Sequence, residues 1–386
     1  MIEKFKSIIY NHMLIILVCL FLVPFILIII GDMGYTFGPL YTFSITNIKD
    51  FFMFWISLFG VFGVVYNISQ NQKRITQQEK QLQAQTISEN NTRFAKGVEL
   101  LGNSQESTRI GGIYTLFFLA KEFQSDYKEC IFKILCSHIT TITQDITYQK
   151  NHMDIPSNEI QTILNLLFKK TDHVYLFADY SASLWNAHLN GANLSFAYLK
   201  KIHLNHVSLD KAIMYHCDLQ GAKIKYTNMR DSRLVHANLL QAEILYSHLN
   251  CTDLHKAQLD NATLQDTNLS HSLFKETSMI STRFVNTNLS CASITDTELS
   301  YSSIVDSDFF ATEIINTNLS KAHIQNVSLE ESNIDKSDLT STQFIRCNLT
   351  NTNITSSKLK STYFFKSNLQ NITFKDSNKD ESKFII

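Results

Sequence analysis

From Ala182 to Phe374 the chain repeats one pattern of apolar and polar positions with a period of five. Every residue whose number ends in 4 or 9, from Leu184 to Phe374, is Leu, Ile, Met or Phe, 39 positions without a slip. Two residues before each stands a small or β-branched side chain: Ala182, Ala187, Ala192, Ala197, Ile202, Val207, Ala212, Cys217, and so on to Ser367 and Ile372. A helix repeats its apolar face every ~3.6 residues and a strand every ~2. A strict five with two inward positions therefore needs a bend in each repeat, and the pattern predicts a coil of short, near-identical turns.

Quintets such as Gly191-Ala192-Asn193-Leu194-Ser195 and Asn286-Thr287-Asn288-Leu289-Ser290 resemble the pentapeptide-repeat family. The resemblance covers half the chain. It implies an all-β solenoid, a right-handed quadrilateral β-helix over 180–376 with four pentapeptides per coil. The large apolar residue and the small residue would face inward and the other three outward. Coils stacked at roughly 4.8 Å would pile equivalent side chains into ladders, and 39 repeats would make nearly ten coils, a rod roughly 45 to 50 Å long. The motif specifies fold and says little of function, because function resides in what the outer faces touch.

Other features agree with this reading. The repeats contain no proline, whose missing N–H would break a ladder. Their only glycines, Gly191 and Gly221, fall at one outward corner position. From Leu264 onward the central residues alternate, mostly Ile or Phe at numbers ending in 4 and mostly Leu at those ending in 9, so opposite sides carry the same shape. The register never shifts, so no loop is inserted where an active site usually sits.

The N-terminal part is of another kind. Met13 to Ile30 and Phe51 to Ile68 are apolar runs long enough to span a bilayer. Lys4 and Lys6 precede the first, and Lys73, Arg74 and Lys80 follow the second. The loop between carries Tyr35, Tyr41 and Phe43 and one lysine, Lys49, so both termini are expected on the cytoplasmic side. These features predict a two-span transmembrane hairpin over 1–70 and a helical stalk over 71–91. In the stalk Ile68, Ile75 and Leu82 form a seven-residue stripe whose partner positions are Asn71, Gln78 and Gln85. Such a stripe is either one seam of a coiled coil or a solvated helix, and the polar partner positions favour the solvated helix.

Residues 92–175 show helical apolar stripes, among them Ile110, Ile113, Leu116, Phe117, Ala120 and then Ile131, Ile134, Leu135, Ile139. A helical bundle there would cover the open first coil of the solenoid. Its wording, Phe94 to Gly102 and then Arg109-Ile110-Gly111-Gly112, resembles a segment found between a membrane hairpin and pentapeptide repeats in uncharacterised bacterial proteins. Gly111 and Gly112 suggest a close helix contact. The remainder, 377–386, reads as a C-terminal tail too short to cap the last coil. An uncovered edge there offers a route to a homodimer.

Composition narrows the function classes. The formal charge of −1 gives no bulk attraction to nucleic acid. Seven scattered cysteines form neither a disulfide framework nor a CxxC metal pattern. His216 and His236 should stack on adjacent coils, but Phe196 and Lys256 extend that column, so no metal or other cofactor is expected. His188, His203, His206, His248 and His255 fall on other columns and read as solvated. No nucleophile–base pair, phosphate loop or paired carboxylates stand out, and no enzymatic activity is expected. Charge is banded: six basic against two acidic residues over 200–230, two against nine over 291–338, five against none over 341–375. Gyrase-protecting members of the resembled family look like DNA mimics, acidic along the whole rod. The bands depart from that.

One outward column is largely apolar: Trp185, Leu245, Val285, Val305, Ile345 and Phe365, with Asn205, Lys225, Gln265 and Gln325 interspersed and Tyr226 and Tyr246 beside it. β-Propensity explains such residues on a sheet surface, and so does a protein-contact face. The expectation is a membrane-tethered scaffold in a bacterial inner membrane, its cytoplasmic β-helix meeting an unidentified protein partner. An Asn-, Ile-, Lys- and Ser-rich composition suggests the bacterial source. The alternatives are a secreted effector inserted in a host membrane and a surface-mimicry regulator of a nucleic-acid enzyme.

Overall fold

The computed structural model describes Val18, Cys19, Leu22, Ile26 and residues 45–123 and 126–385. Apart from those first four residues, the expected first span lies outside the described residues, as does most of the loop after it. The chain divides into two compact units, Met1–Ser88 and Glu89–Ile386.

Helix α1, Ile45–Leu101, begins in the first unit and ends in the second. The second apolar run, the polar connector and the first bundle segment, expected as separate pieces, are one helix of 57 residues. No proline and no left-handed residue interrupts it, so the backbone hydrogen bonds continue through each change of composition. In the first unit Met53, Phe54, Ile56, Val61, Val64, Val65 and Ile68 are exposed. Among the described residues this is the one helix long and apolar enough to cross a membrane, by length and composition.

In the second unit the apolar stripes fold as helices α2 (Glu106–Glu122), α3 (Lys128–Thr143), α4 (Ile146–Asn151) and α5 (Asn158–Phe168). Asp145 caps α4 by accepting from the Tyr148 N–H, and Ser157 caps α5 by accepting from the Ile160 N–H. Ile113, Leu116, Leu119, Ile131, Leu135, Ile139, Ile160 and Ile163 are fully buried between these helices. Gly112 permits the contact with α1, since a Cβ there would lie 2.8 Å from the Gly97 carbonyl oxygen and from the Leu100 Cβ. Gly111, paired with it in the sequence reading, faces open space.

A charged clasp ties the bundle. Glu159, with no exposed side-chain surface, takes Arg109 Nε at 2.9 and 2.8 Å, Arg109 Nη2 at 2.7 Å and His138 Nε2 at 2.5 Å. Burial opposes its ionisation, but the hydrogen bonds from His138 and Arg109 outweigh it and hold the carboxyl below its ordinary range.

The solenoid follows. Ten three-residue parallel strands, from His203–Asn205 to Lys383–Ile385, form one sheet, and six, from Leu273–Lys275 to Thr373–Lys375, form another. Each pairs in register with the residue 20 positions on, as Leu204 with Ile224. Four repeats therefore make a coil, about nine turns of them. The alternation of central residues maps onto backbone shape. Most extended strands centre on Ile or Phe, with Leu204 and Leu264 as exceptions and Phe309 on a bridged side, whereas Leu194, Met214, Leu234 and Leu254 lie on a side joined by single bridges until Phe274 starts the second sheet. β-Branched and aromatic residues suit an extended, half-buried backbone, and leucine adapts to the tighter bend.

Pairing extends beyond residue 376, where a tail was expected. Lys383–Ile385 pairs with Tyr363–Phe365, and Phe384 stacks on Phe364 at 5.0 Å. The inward pattern is interrupted at 379, an exposed lysine, yet the backbone keeps coiling and Phe384 takes the next central position.

Candidate interaction surface

The corner of every repeat sets the surface. Each residue numbered in 1 or 6, from Asn186 to Glu381, has φ between 49° and 65°, the left-handed region. Gly191 is compelled there, because a Cβ would meet the Asp154 carbonyl oxygen at 1.9 Å. None of these corner residues is Val, Ile, Thr or Pro, the types whose shape resists that conformation.

Corner side chains on adjacent coils stack. One corner holds His206, Tyr226 and Tyr246, with centroids 4.8 and 4.9 Å apart and planes within 8°, and Trp185 meets the edge of His206. Another corner holds Phe196, His216 and His236 at 5.1 and 4.5 Å, with His255 against the His236 edge. The His216–His236 stack matches the sequence reading. His206 and His255, expected as solvated residues on other columns, belong to the aromatic ladders. Sequence projection placed the columns but not the tilt that brings Trp185 and His255 onto a neighbouring corner. Parallel rings cannot aim two nitrogens at one ion, and among the described residues no group of three or more His, Cys, Asp or Glu stands where it could hold a metal.

The predicted apolar column divides into two parts. Trp185, Tyr226 and Tyr246 are 55, 52 and 43 % exposed and meet in the aromatic corner ladder. Leu245, Val285, Val305, Ile345 and Phe365 line the ten-stranded sheet, each only half-buried between the columns either side. Tyr363 stacks on Phe365 at 5.9 Å, and Lys366 lies over the Phe365 ring.

The acidic band is internally paired. Asn316 donates to Asp296 at 2.7 Å, Asn318 to Glu298 at 2.8 Å and Asn326 to Asp306 at 2.8 Å, each from the next coil. Lys358 reaches Asp338 at 3.4 Å. Asn318 thus stands between Glu298 and Asp338, whereas Asn316 and Asn326 stand between a carboxylate and a cation, Lys336 and Arg346, an order along the stack that a charge count does not reveal.

The bundle meets the backbone of the first coil. Gln161 donates to the Asn193 carbonyl and accepts from the Asn193 N–H, both at 2.9 Å. The Tyr198 N–H donates to the Phe168 carbonyl at 2.7 Å, the His188 N–H to Thr143 Oγ1 at 3.1 Å, and Gln144 to the Trp185 carbonyl at 3.1 Å. Groups that lack a preceding coil thus find partners among helical residues.

The cysteines are all unbridged. Burial pushes the Cys136 thiol up to about 12 and the Cys347 thiol up to about 11, far from the reactive thiolate range.

The sequence model of a family described as "Pentapeptide repeats" matches eight copies, within 187–225, 212–244, 246–275 and 312–351. Among solved structures, HetL, a pentapeptide repeat protein involved in heterocyst differentiation regulation from the cyanobacterium Nostoc sp. strain PCC 7120, is 20% identical. The match covers 53% of this chain and 85% of HetL, with a TM-score of 0.22. A trypsin-treated variant of QnrB1, a plasmid-mediated fluoroquinolone resistance protein, is 16% identical over 47% of this chain and 88% of its own, with a TM-score of 0.27. Rfr23, a pentapeptide repeat protein from the cyanobacterium Cyanothece 51142, is 18% identical over 38% and 91%, with a TM-score of 0.17. No curated protein sequence matches the chain. The five-residue period, the 20-residue coil and the matched copies together make the solenoid of this chain an array of pentapeptide repeats.

Proposed function

We propose that this protein is a non-enzymatic scaffold, tethered to a bacterial inner membrane by its N-terminal apolar segments, with both termini cytoplasmic. Its β-helix offers one long face to a protein partner. The observation that carries the reading is the uninterrupted ladder register. It sets Trp185, Tyr226, Leu245, Tyr246, Val285, Val305, Ile345 and Phe365 along one side and inserts no loop that could build a reaction site. Aromatic and aliphatic side chains already held by stacking lose little conformational freedom on binding, which suits a contact surface. The exposed apolar stretch of α1, followed by Lys73, Arg74 and Lys80, supports the tether.

A photoreactive residue at Val305, with a control at Ser270 on another side, tests the face in native membranes. Capture of one discrete protein from Val305 and none from Ser270 is the expected result. Equal, diffuse labelling from both would remove this face from the reading. Release of the protein from membranes by an alkaline wash would remove the tether.

A further inference from the structure

The stripe at Ile68, Ile75 and Leu82 is longer than the connector. Counting back in sevens along α1 reaches Val61 and Phe54, so five successive heptads carry an apolar residue at the same position without a break in the helix. These side chains are 61, 60, 52, 53 and 65 % exposed from Phe54 to Leu82. The fourth position of each heptad reads Ser57, Val64, Asn71, Gln78 and Gln85, all exposed. Beyond the apolar run, Ile68, Ile75 and Leu82 show this stripe to solvent over several turns, and a helix that does so has little to stabilise it alone.

The charges say what covers it. Between Ile68 and Ser88 there are four charged residues: Lys73, Arg74, Glu79 and Lys80. Lys73 and Lys80 fall on the heptad position farthest from the stripe. Arg74 flanks the stripe on one side and Glu79 flanks it on the other, five residues later. In a parallel pair of helices, the flank preceding each heptad meets the opposite flank of its partner five residues on. A second copy in parallel register would therefore set Arg74 against Glu79 twice. An antiparallel pair brings like flanks together and sets Arg74 against Arg74. Among the described residues neither Arg74 nor Glu79 has an ion-pair partner within this chain. Asn71, Gln78 and Gln85 each carry an amide that can donate to and accept from its own copy across the seam, fixing register at some cost in stability.

We propose that two copies of this chain pair in parallel through α1 along this seam, Arg74 of each copy facing Glu79 of the other. Self-association then lies at the stalk rather than at the last coil. The proposal does not depend on the membrane tether, since the charge pattern alone selects the orientation.

The test uses the full chain in mild detergent, with the exposed Cys19, Cys130, Cys251 and Cys291 replaced by Ser. Gln78→Cys should give a disulfide-linked dimer on mild oxidation, and Lys80→Cys, on the far side, should not. In the same background, dimer dissociation is followed by energy transfer between labelled copies. Arg74→Glu and Glu79→Arg should each weaken the dimer roughly tenfold, and the two together should bring it back to within about twofold. Residues five apart do not face each other on one helix, so this rescue acts between copies. Absent or equal crosslinking at 78 and 80, or a double variant as weak as the singles, would overturn the proposal. A protein that stays in solution without detergent yet passes both tests would overturn the tether and leave the pairing standing.

Discussion

At the scale of single residues, the inward small position is where a polar group is buried without penalty. The Thr342 hydroxyl, fully buried, donates at 2.8 Å to the Leu319 carbonyl, one coil back. Thr267, Thr297, Thr317 and Thr352 repeat the contact to the residue 23 earlier. Cys347 points its thiol along the same path to the Ile324 carbonyl. The buried hydroxyls of Ser232 and Ser302 find no such acceptor. Thr342→Val, which keeps the shape and removes the donor, should cost about 1 kcal/mol, whereas Ser302→Ala should leave stability unchanged or raise it by about 1 kcal/mol. Denaturant unfolding of the full chain checks both. No loss in Thr342→Val, or an equal loss in Ser302→Ala, would show that the hydrogen bond does not set the two positions apart.

At the scale of elements, close approach decides which substitutions matter. Gly111→Ala meets nothing within 4 Å and replaces a poor helix former, so it should stabilise α2 by up to about 1 kcal/mol. Gly112→Ala drives a methyl group against the Gly97 carbonyl and Leu100, and should cost about 1 to 3 kcal/mol. Thermal unfolding of the two variants should therefore shift in opposite directions. Sequence spacing flagged the pair but could not divide it. Both residues lie on one helix, and only the position of α1 shows which faces a neighbour. Likewise, the alternation of Ile or Phe with Leu showed that opposite sides carry the same shape, but which sides are extended strands came from the backbone, where Leu204 and Leu264 also centre strands.

At the scale of the molecule, each coil is held by the coils above and below, so the cost of a change depends on where along the stack it falls. Phe344 stacks on Phe364 at 4.9 Å and is fully buried, while Phe384 has Phe364 on one side and remains 41 % exposed. Phe344→Ala should cost about 3 to 5 kcal/mol. Phe384→Ala should cost roughly a third of that and act by fraying the last coil. Hydrogen exchange reads the difference: protection lost across the middle coils in the first variant, and only beyond about residue 365 in the second. Loss of equal extent in both would mean that the solenoid unfolds as one unit.

The solenoid was legible in the sequence because its core is periodic, and an inward position every five residues permits one kind of backbone path. The corner conformation leaves a trace that becomes readable only once the backbone is known: no β-branched residue stands at any position numbered in 1 or 6 from Asn186 to Glu381, since a left-handed φ disfavours that shape. Of the candidate surface, the sequence placed the members of the column and the neighbouring coils they occupy. Tertiary structure decided how far each side chain emerges, that His206 joins Trp185 and Tyr226, and that carboxylates lie against asparagines one coil away. It also decided that Glu159 closes on Arg109 and His138 and that Gln161 meets Asn193. These contacts join residues on different elements at no repeating interval, and only the packed chain brings them within hydrogen-bond distance.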